Sequence, residues 1–233
     1  MQSNINPIEI EKFSQIASRW WDKNGECKPL HEINPLRLEF IKQQINLCET
    51  KILDVGCGGG ILTESLAQAG ACVTGIDASA ELINIAKLHK YETKLTIDYQ
   101  LTTIEEFSEK NPNAFDVITC MELLEHVPDP ISIINACSKL IKPQGYLFFS
   151  TINRNLKSYF QAIIGAEYIL RLLKIGTHDY RQFIRPSELD KWARATDLSL
   201  EKMIGFTYNP LTAEYKLTSN TDINYLVCYR NNL

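Results

Sequence analysis

Three side chains that could carry chemistry follow directly after an apolar run. The run is 115–121, and the side chains are those of Glu122, Glu125 and His126. In a helical turn these positions, i, i+3 and i+4, would share one face. The three could then act as general acids or bases, bind a divalent cation, or only place favourable charge in the first turn of a helix. The pattern predicts a functional site here and leaves these alternatives open.

A glycine-rich stretch marks a second candidate site. Residues 54–60 read DVGCGGG between a predicted strand and a predicted helix, the context of a nucleotide-type site in a parallel sheet. Gly56 and Gly58 have no side chains, so a ligand could approach the backbone closely. Asp77 ends the next predicted strand, where its carboxylate could accept hydrogen bonds from both hydroxyls of a ribose. The alternative is that the glycines only form a tight turn.

The same stretch restricts the class of ligand. The dinucleotide fingerprint G-x-G-x-x-G requires glycine at position 61, where this chain has Ile61. A ligand with a ribose but no pyrophosphate fits better, and S-adenosylmethionine is such a ligand. Asp54 would then face the methionine end, whose ammonium group needs a partner. A nicotinamide-dependent dehydrogenase is the weaker alternative.

Alternating strands and helices must position these two sites. Strands are predicted at 51–56, 72–77, 96–100, 115–121 and 146–151, and helices at 61–68, 79–90 and 130–141. This alternation predicts an α/β protein with a mostly parallel sheet and helices on both faces. Two later strands, roughly 200–208 and 223–229, would form an antiparallel hairpin at one edge and complete seven strands. We predict one domain over 1–233, with an N-terminal helical region at 7–47 and an inserted helical segment at 152–185.

Composition narrows the class of protein. The chain has 233 residues, and its shares of 45% apolar and 22% charged residues are typical of soluble globular proteins. The net charge of −4 gives no support for nucleic-acid binding, and no apolar run is long enough to span a bilayer. The N-terminus lacks the features of a signal peptide. The cysteines lie mostly in apolar runs without a C-x-x-C pair, which favours reduced thiols in the cytoplasm over disulfides or a structural zinc site.

The glycine stretch, Asp77 and residues 120–128 (CMELLEHVP) together resemble the class I S-adenosylmethionine-dependent methyltransferases, which implies a Rossmann-like fold. Further short motifs are similar to the O-methyltransferases of ubiquinone biosynthesis, bacterial and mitochondrial. These motifs are SRWWD at 18–22, KPLH at 28–31, NPLR at 34–37, STINR at 150–154, GAEY at 165–168 and GTHD at 176–179. The likeness begins at about Glu9. One departure is Gln144, where the family usually has glycine, in a predicted turn.

The resemblance implies a function and a set of cofactor contacts. The function is O-methylation of hydroxyl groups on polyprenylated phenols or catechols in ubiquinone biosynthesis. By motif, Arg37, Gly56, Asp77 and Met121 would contact S-adenosylmethionine. Arg37 offers a fork of donors to the carboxylate of this cofactor, and Met121 would pack on its adenine. Arg37 could instead form a surface ion pair on a helix that begins at 34–35. A non-catalytic subunit that binds the cofactor or the membrane is the alternative function.

The implied reaction suggests a catalytic role for Glu122, Glu125 and His126. A phenol has a pKa of about 10, so its proton must be removed and its oxygen aligned with the methyl carbon. His126 or a glutamate could take this proton. Resemblance to the mitochondrial enzyme instead favours Mg²⁺ held by Glu122, Glu125 and His126, although imidazole is a poor ligand for so hard an ion.

Three ring side chains outside these two sites are also open to interpretation. Trp20 and Trp21 could cover the cofactor as a lid or anchor the N-terminal region to the core. We expect anchoring for at least one of the two. His89 is predicted to be a solvated residue on the exposed side of a helix.

The segment 154–185 carries an excess of positive charge. It contains six basic and two acidic residues, in a chain whose net charge is −4. Apolar residues recur with four-three spacing over 159–173, which predicts a basic amphipathic helix that either docks on an anionic membrane surface or packs as a lid. Docking would make the protein cytoplasmic and peripheral on the inner face of the membrane. There it would meet a polyprenyl substrate and other ubiquinone-biosynthesis proteins.

Overall fold

The computed structural model describes residues 4–159, 179–209, 212 and 214–233. Eight strands are found in these ranges: β1 (Lys51–Val55), β2 (Cys72–Asp77), β3 (Ile97–Leu101), β4 (Phe115–Met121), β5 (Ile141–Ile152), β6 (Leu198–Asn209), β7 (Glu214–Thr218) and β8 (Asn224–Asn231). They form one sheet in the order β3-β2-β1-β4-β5-β8-β6-β7, with the first five parallel. The predicted α/β fold with a mostly parallel sheet is confirmed.

The parallel strands bring the two predicted sites to one edge of the sheet. β1 lies between β2 and β4, with Asp54 opposite Gly75 on one side and Thr119 on the other. The carboxyl ends of parallel strands lie at the same edge. The glycine stretch after β1, Asp77 at the end of β2 and Glu122 after β4 are therefore neighbours.

The antiparallel edge has one strand more than the sequence predicts. β8 lies between β5 and β6 and is antiparallel to both, so the two predicted late strands do pair. β7 then pairs with β6 as an eighth strand, which corrects the predicted count of seven. Its sequence, EYKLT, is short and contains two charged residues. Charged residues suit an edge strand because they discourage further pairing, and they also obscure the strand pattern in the sequence.

Helices cover both faces of the sheet. They are α1 (Pro7–Ile16), α2 (Lys28–Gln44), α3 (Ile61–Gln68), α4 (Ala80–Thr93), α5 (Ile104–Ser108), α6 (Pro130–Leu140), the one-turn α7 (Leu156–Ser158) and α8 (Pro186–Arg194). Ser79 caps α4, because its hydroxyl accepts the N–H of Leu82. Successive residues of a strand face opposite sides. Phe148 and Phe149 accordingly enter different core clusters, one against α2 and α3 and the other against α6 and α8.

The inserted segment is only partly described. Residues 160–178 lie outside the described ranges, so the predicted amphipathic helix and its spacing stay predictions. On either side of this gap are α7 and a 3₁₀ turn at Tyr180–Gln182. In the part of the chain that the structure describes, no helix is long and apolar enough to cross a membrane.

The glycine stretch adopts a backbone that other residues rarely take. Gly56, Gly58 and Gly60 have φ values of +68°, +55° and +93°, in the left-handed region that favours glycine. Gly60 also lies against the buried Tyr99, whose hydroxyl would clash with an added Cβ. The same reasoning applies to Gln144, whose φ of +63° accounts for the glycine usual in the family that the sequence resembles.

We expect Gly60→Ala to destabilise the protein more than Gly70→Ala. Gly70 has a similar φ of +96°, but the nearest atom to an added Cβ there is the Cys48 Cα at 3.6 Å. Both substitutions introduce left-handed strain of about 1–2 kcal/mol, and only Gly60→Ala adds overpacking of about 1–3 kcal/mol. Urea unfolding of both variants measures the difference. Equal losses of stability would show that Tyr99 moves aside at no cost.

Candidate functional site

A cavity of about 1080 Å³ opens at the carboxyl ends of β1, β2 and β4. The residues that line it include all nine predicted site residues. They are Arg37, Asp54, Gly56, Gly58, Asp77, Met121, Glu122, Glu125 and His126. The two candidate sites of the sequence analysis therefore belong to one cavity.

Asp77 connects the end of β2 to the two segments beside it. Its Oδ2 accepts the N–H of Gly58 at 2.9 Å, and its Oδ1 accepts the N–H of Ser79 at 2.8 Å. Burial raises the pKa of Asp77, and these backbone donors oppose the shift. Each oxygen of a carboxylate can accept a second hydrogen bond. Asp77 can therefore hold the loop and still accept from two hydroxyls of a ligand.

Asp54 lies deeper, at the end of β1. Thr63 donates to its Oδ2 at 2.6 Å and Thr119 to its Oδ1 at 2.7 Å, so both oxygens have hydroxyl donors. Asp54 is only 3% exposed, and this burial raises its pKa to about 6, against the opposing effects of the two hydroxyls and of Arg37. The carboxyl group therefore ionises close to neutral pH.

Arg37 and Glu122 form an ion pair inside the cavity. Nη2 of Arg37 lies 3.2 Å from Oε1 of Glu122, and the Ser150 hydroxyl donates to the same oxygen at 2.6 Å. Arg37 is 6% exposed and comes from the middle of α2, which begins at Lys28. The sequence suggests a surface ion pair as an alternative for Arg37. The ion pair that Arg37 forms is instead buried, with Glu122. Nε of Arg37 is buried and has no hydrogen-bond partner among the described residues.

Glu125 is held as a buried carboxyl group. Thr151 donates to its Oε2 at 2.8 Å, and its Oε1 is without a partner in the described ranges. Burial raises the pKa of Glu125 well above its usual value, and the neighbouring Glu122 carboxylate raises it further. The surroundings of Glu125 therefore favour its protonated form.

His126 turns towards the N-terminal region. Its Nδ1 lies 2.8 Å from Oε2 of Glu9, and the edge of the Phe13 ring meets its ring with centroids 5.2 Å apart. Glu9 lies on α1, 117 residues away in sequence. No pattern in the sequence indicates that Glu9 and His126 are in contact.

The three side chains that follow β4 do not form the predicted helical face. Glu122 has a φ of +52° and precedes a 3₁₀ turn that contains only Leu124–His126. The left-handed residue breaks the helical register, so the three side chains turn to Ser150, Thr151 and Glu9 respectively. In the described ranges no group of three or more acidic, histidine or cysteine side chains could hold a metal ion. The residues do not fit the Mg²⁺ site that the sequence suggested.

Two tryptophans pack on the glycine stretch. An added Cβ at Gly58 or Gly59 would meet the Trp20 ring, which is 6% exposed and lines the cavity. Trp21 donates its indole N–H to the Gly59 carbonyl at 3.0 Å and stacks on His89 at 3.4 Å. Trp21 is therefore the expected anchor, while Trp20 covers the loop.

The prediction for His89 is wrong. Its Nδ1 lies 2.8 Å from Oε1 of the buried Glu64, and its ring is half covered by the stacked Trp21. The spacing of α4 places His89 on a polar stretch, and tertiary contacts with Glu64 and Trp21 leave its side chain 23% exposed. His89 thus joins α3 and α4 to the segment that carries the tryptophans.

The fold belongs to a known class. The protein is similar to the magnesium protoporphyrin IX methyltransferase of Synechocystis PCC 6803, with a TM-score of 0.68 and 16% identity over 96% of this chain and 99% of that one. Residues 21–202 match a family model described as a methyltransferase domain. The chain is a methyltransferase with the Rossmann-like class I fold, as predicted.

Relatives of known name narrow the class further. The chain is 55% identical to the ubiquinone biosynthesis O-methyltransferase of Thiobacillus denitrificans, over 98% of each chain. It is 56% identical to the protein of the same name in Stutzerimonas stutzeri, over 97% of each. The chain belongs to the family of the ubiquinone biosynthesis O-methyltransferases. This membership confirms the family that the sequence motifs indicated and replaces the dehydrogenase alternative.

We expect Asp54→Asn to remove a pH dependence of stability. The pKa of Asp54 is about 6 in the folded protein, against a usual value of 3.8. The folded state therefore binds more protons than the unfolded state between about pH 4 and pH 6, and Asp54 lowers stability as the pH rises through this window. The free energy of unfolding of the wild type, minus that of Asp54→Asn, should fall by about 2.4 kcal/mol from pH 4 to pH 7.

Urea unfolding of both proteins across this pH range measures the difference, in which the other titrating groups cancel. A difference that stays constant with pH would mean that Asp54 ionises at its ordinary pKa in the folded protein.

Proposed function

We propose that this protein transfers the methyl group of S-adenosylmethionine to a phenolic hydroxyl of a polyprenylated catechol or quinol in ubiquinone biosynthesis. The observation that carries the proposal is the convergence of nine side chains and glycines on one cavity, at the carboxyl edge of β1, β2 and β4. The family to which the chain belongs supports it. We propose further that residues 1–233 form one methyltransferase domain.

The binding roles follow from the chemistry of each group. The carboxylate of Asp77 would accept from the two ribose hydroxyls, since each of its oxygens retains an acceptor position. Gly56 and Gly58 would let the cofactor approach the backbone. Met121, buried at the end of β4, would pack on the adenine. The buried Nε of Arg37 lacks a partner among the described residues and suits the cofactor carboxylate.

Asp54 is proposed to face the ammonium group of the cofactor. Its ionisation close to neutral pH suits this role, because a positive charge nearby favours the carboxylate form. The hydroxyls of Thr63 and Thr119 fix the orientation of the carboxylate before any ligand arrives. Asp54 and Arg37 would then hold opposite charges at the methionine end.

His126 is the best candidate for the general base. Burial raises the pKa of Glu125 and favours its protonated form, and Oε1 of Glu122 already accepts from Ser150 and pairs with Arg37. The contact of His126 with Glu9 uses Nδ1, and Nε2 is the other nitrogen of its ring. When bound, S-adenosylmethionine supplies an electrophilic methyl group on a sulfonium. His126 would take the phenolic proton, and bound S-adenosylmethionine would supply the methyl group to the phenolic oxygen, with S-adenosylhomocysteine as the leaving group.

We expect methyl transfer to a short-chain prenylated catechol. The protein is incubated with methyl-labelled S-adenosylmethionine and the catechol, and mass analysis follows the label. One labelled methyl group on oxygen supports the proposal. Cofactor binding without methylation of this or a quinol acceptor would favour the non-catalytic subunit instead.

In the same assay series, Arg37→Met should weaken binding of S-adenosylhomocysteine about 10- to 100-fold. The loss corresponds to one charge-assisted hydrogen bond of about 1.5–3 kcal/mol. Arg194→Met is the control, because the Arg194 side chain is 70% exposed on α8 and pairs with its helical neighbour Asp190. Titration calorimetry measures both variants. If Arg37→Met and Arg194→Met bind S-adenosylhomocysteine with equal affinity, Arg37 does not contact the cofactor.

We also propose that residues 154–185 dock the protein on an anionic membrane, on the inner face and beside the polyprenyl substrate. Other ubiquinone-biosynthesis proteins would be neighbours there. The positive charge of the segment supports docking. Two of its six basic residues are internally paired, Arg154 with Glu188 and Lys157 with Asp222. The other four are Arg171, Lys174, Arg181 and Arg185. Arg171 and Lys174 are the pair to test, because they lie in or next to the predicted amphipathic stretch, outside the described residues.

Arg171→Glu combined with Lys174→Glu should abolish flotation with vesicles that contain anionic lipid. The two charge reversals change the net charge of the segment by −4, and each basic group near such a surface contributes about 1 kcal/mol to membrane binding. Lys87→Glu combined with Lys110→Glu is the control, because both lysines are exposed and lie outside the segment. If the two double variants float equally well, docking by this segment is refuted.

A further inference from the structure

The helix α1 lies across the mouth of the cavity. At one end, Asn4 exchanges two hydrogen bonds with the backbone of Asp129, at 2.9 and 2.8 Å, beyond the end of β4. At the other end, the hydroxyl of Ser14 lies 2.9 Å from that of Ser79, beyond the end of β2. Residues of α1 line the cavity between these two ties. The helix is thus fixed to both sides of the site that it covers.

Glu9 is the residue of α1 that reaches the proposed base. Its side chain is 12% exposed, with Oε2 at 2.8 Å from Nδ1 of His126 and Oε1 at 2.6 Å from Nζ of Lys12. Phe13, one turn further along α1, packs its edge against the His126 ring. The imidazole is therefore held by a charge and by an aromatic contact from the same helix.

The pairing selects one form of the imidazole. A carboxylate only accepts hydrogen bonds, so the contact requires a proton on Nδ1. In the neutral ring, the lone pair is then on Nε2. The pKa of Glu9 is lowered to about 2, first by its hydrogen bond to His126 and then by Lys12, against the effect of burial. Glu9 is therefore an acceptor at any pH where the enzyme would work.

We propose that Glu9 is a positioning residue for methyl transfer, fixing the tautomer and orientation of His126 so that Nε2 can accept the phenolic proton. The inference rests on the proposed function and extends it to the N-terminal helix. When Nε2 takes the proton, the ring becomes an imidazolium whose Nδ1–H still donates to Glu9. The negative charge of Glu9 stabilises this cation, so the helix contributes to the reaction as well as to closure of the cavity.

The test compares Glu9→Gln with Glu11→Gln. Both substitutions exchange a carboxylate for an amide on α1, but Glu11 is exposed and accepts from Gln15. Replacement of the carboxylate that orients a catalytic histidine in a hydrolase triad costs about 10⁴-fold in kcat. A phenol is a far stronger acid than serine, so we expect a smaller loss of about 100-fold in Glu9→Gln. KM for S-adenosylmethionine should change little, and Glu11→Gln should match the wild type.

Two further measurements separate positioning from folding. Nitrogen-15 NMR of the histidine rings in the wild type should show His126 protonated on Nδ1 and not on Nε2 when neutral, and Glu9→Gln should lose this preference. Glu9→Asp keeps the charge on a shorter side chain and should recover part of kcat. An unprotonated Nδ1 in the wild type, or an unchanged kcat in Glu9→Gln with cofactor binding intact, would overturn the proposal.

Failure of the proposed role of Glu9 can be distinguished from failure of the proposed function. If the wild type methylates no catechol or quinol, the proposed function and the role of Glu9 in it are both refuted, whatever the NMR result. If the wild type is active and Glu9→Gln is equally active, only the role of Glu9 is refuted. Calorimetric binding of S-adenosylhomocysteine by both variants establishes that each retains a folded cofactor site.

Discussion

The carboxylate of Asp77 is the interaction on which the cavity depends. It joins the end of β2 to the N–H of Gly58 in the glycine stretch and to the N–H of Ser79 before α4. These donors point away from any helix or strand partner, and a buried N–H without an acceptor costs about 1–3 kcal/mol. A single buried group thus fixes the relative positions of two loops. A ligand that binds to its remaining acceptor positions meets a site that is already formed.

The N-terminal region completes this site through contacts that are distant in sequence. Trp21 binds the carbonyl of Gly59 and stacks on His89, while Trp20 covers the glycine stretch. The same region supplies Glu9 to His126 on the other side of the cavity. A movement of this region would therefore affect the proposed cofactor contacts and the proposed base together. The proposed cofactor contacts and the proposed base are thus linked through one segment of the chain.

Much of this structure could be predicted from the sequence because its signals are local. The five parallel strands contain short stretches rich in apolar residues, and the glycine stretch and Asp77 lie at fixed points relative to them. Their convergence follows from the geometry of a parallel sheet. The residues that the sequence left unexplained depend on tertiary contact. β7 is a charged edge strand, His89 is partly covered by its contacts with Trp21 and Glu64, and Glu9 meets His126 across 117 residues.

The three side chains after β4 show most clearly why residue type alone does not give a role. Two glutamates three positions apart have the same chemistry in solution, but here one pairs with Arg37 and the other is buried beside it. A buried carboxyl near a carboxylate keeps its proton, because two negative charges in such a place repel. Burial beside Glu122 therefore raises the pKa of Glu125, while Glu122 pairs with Arg37. His126 contacts Glu9 instead, and it is the group that we propose to take the phenolic proton. The left-handed turn at Glu122 produces this division, because it sends each side chain to a different partner.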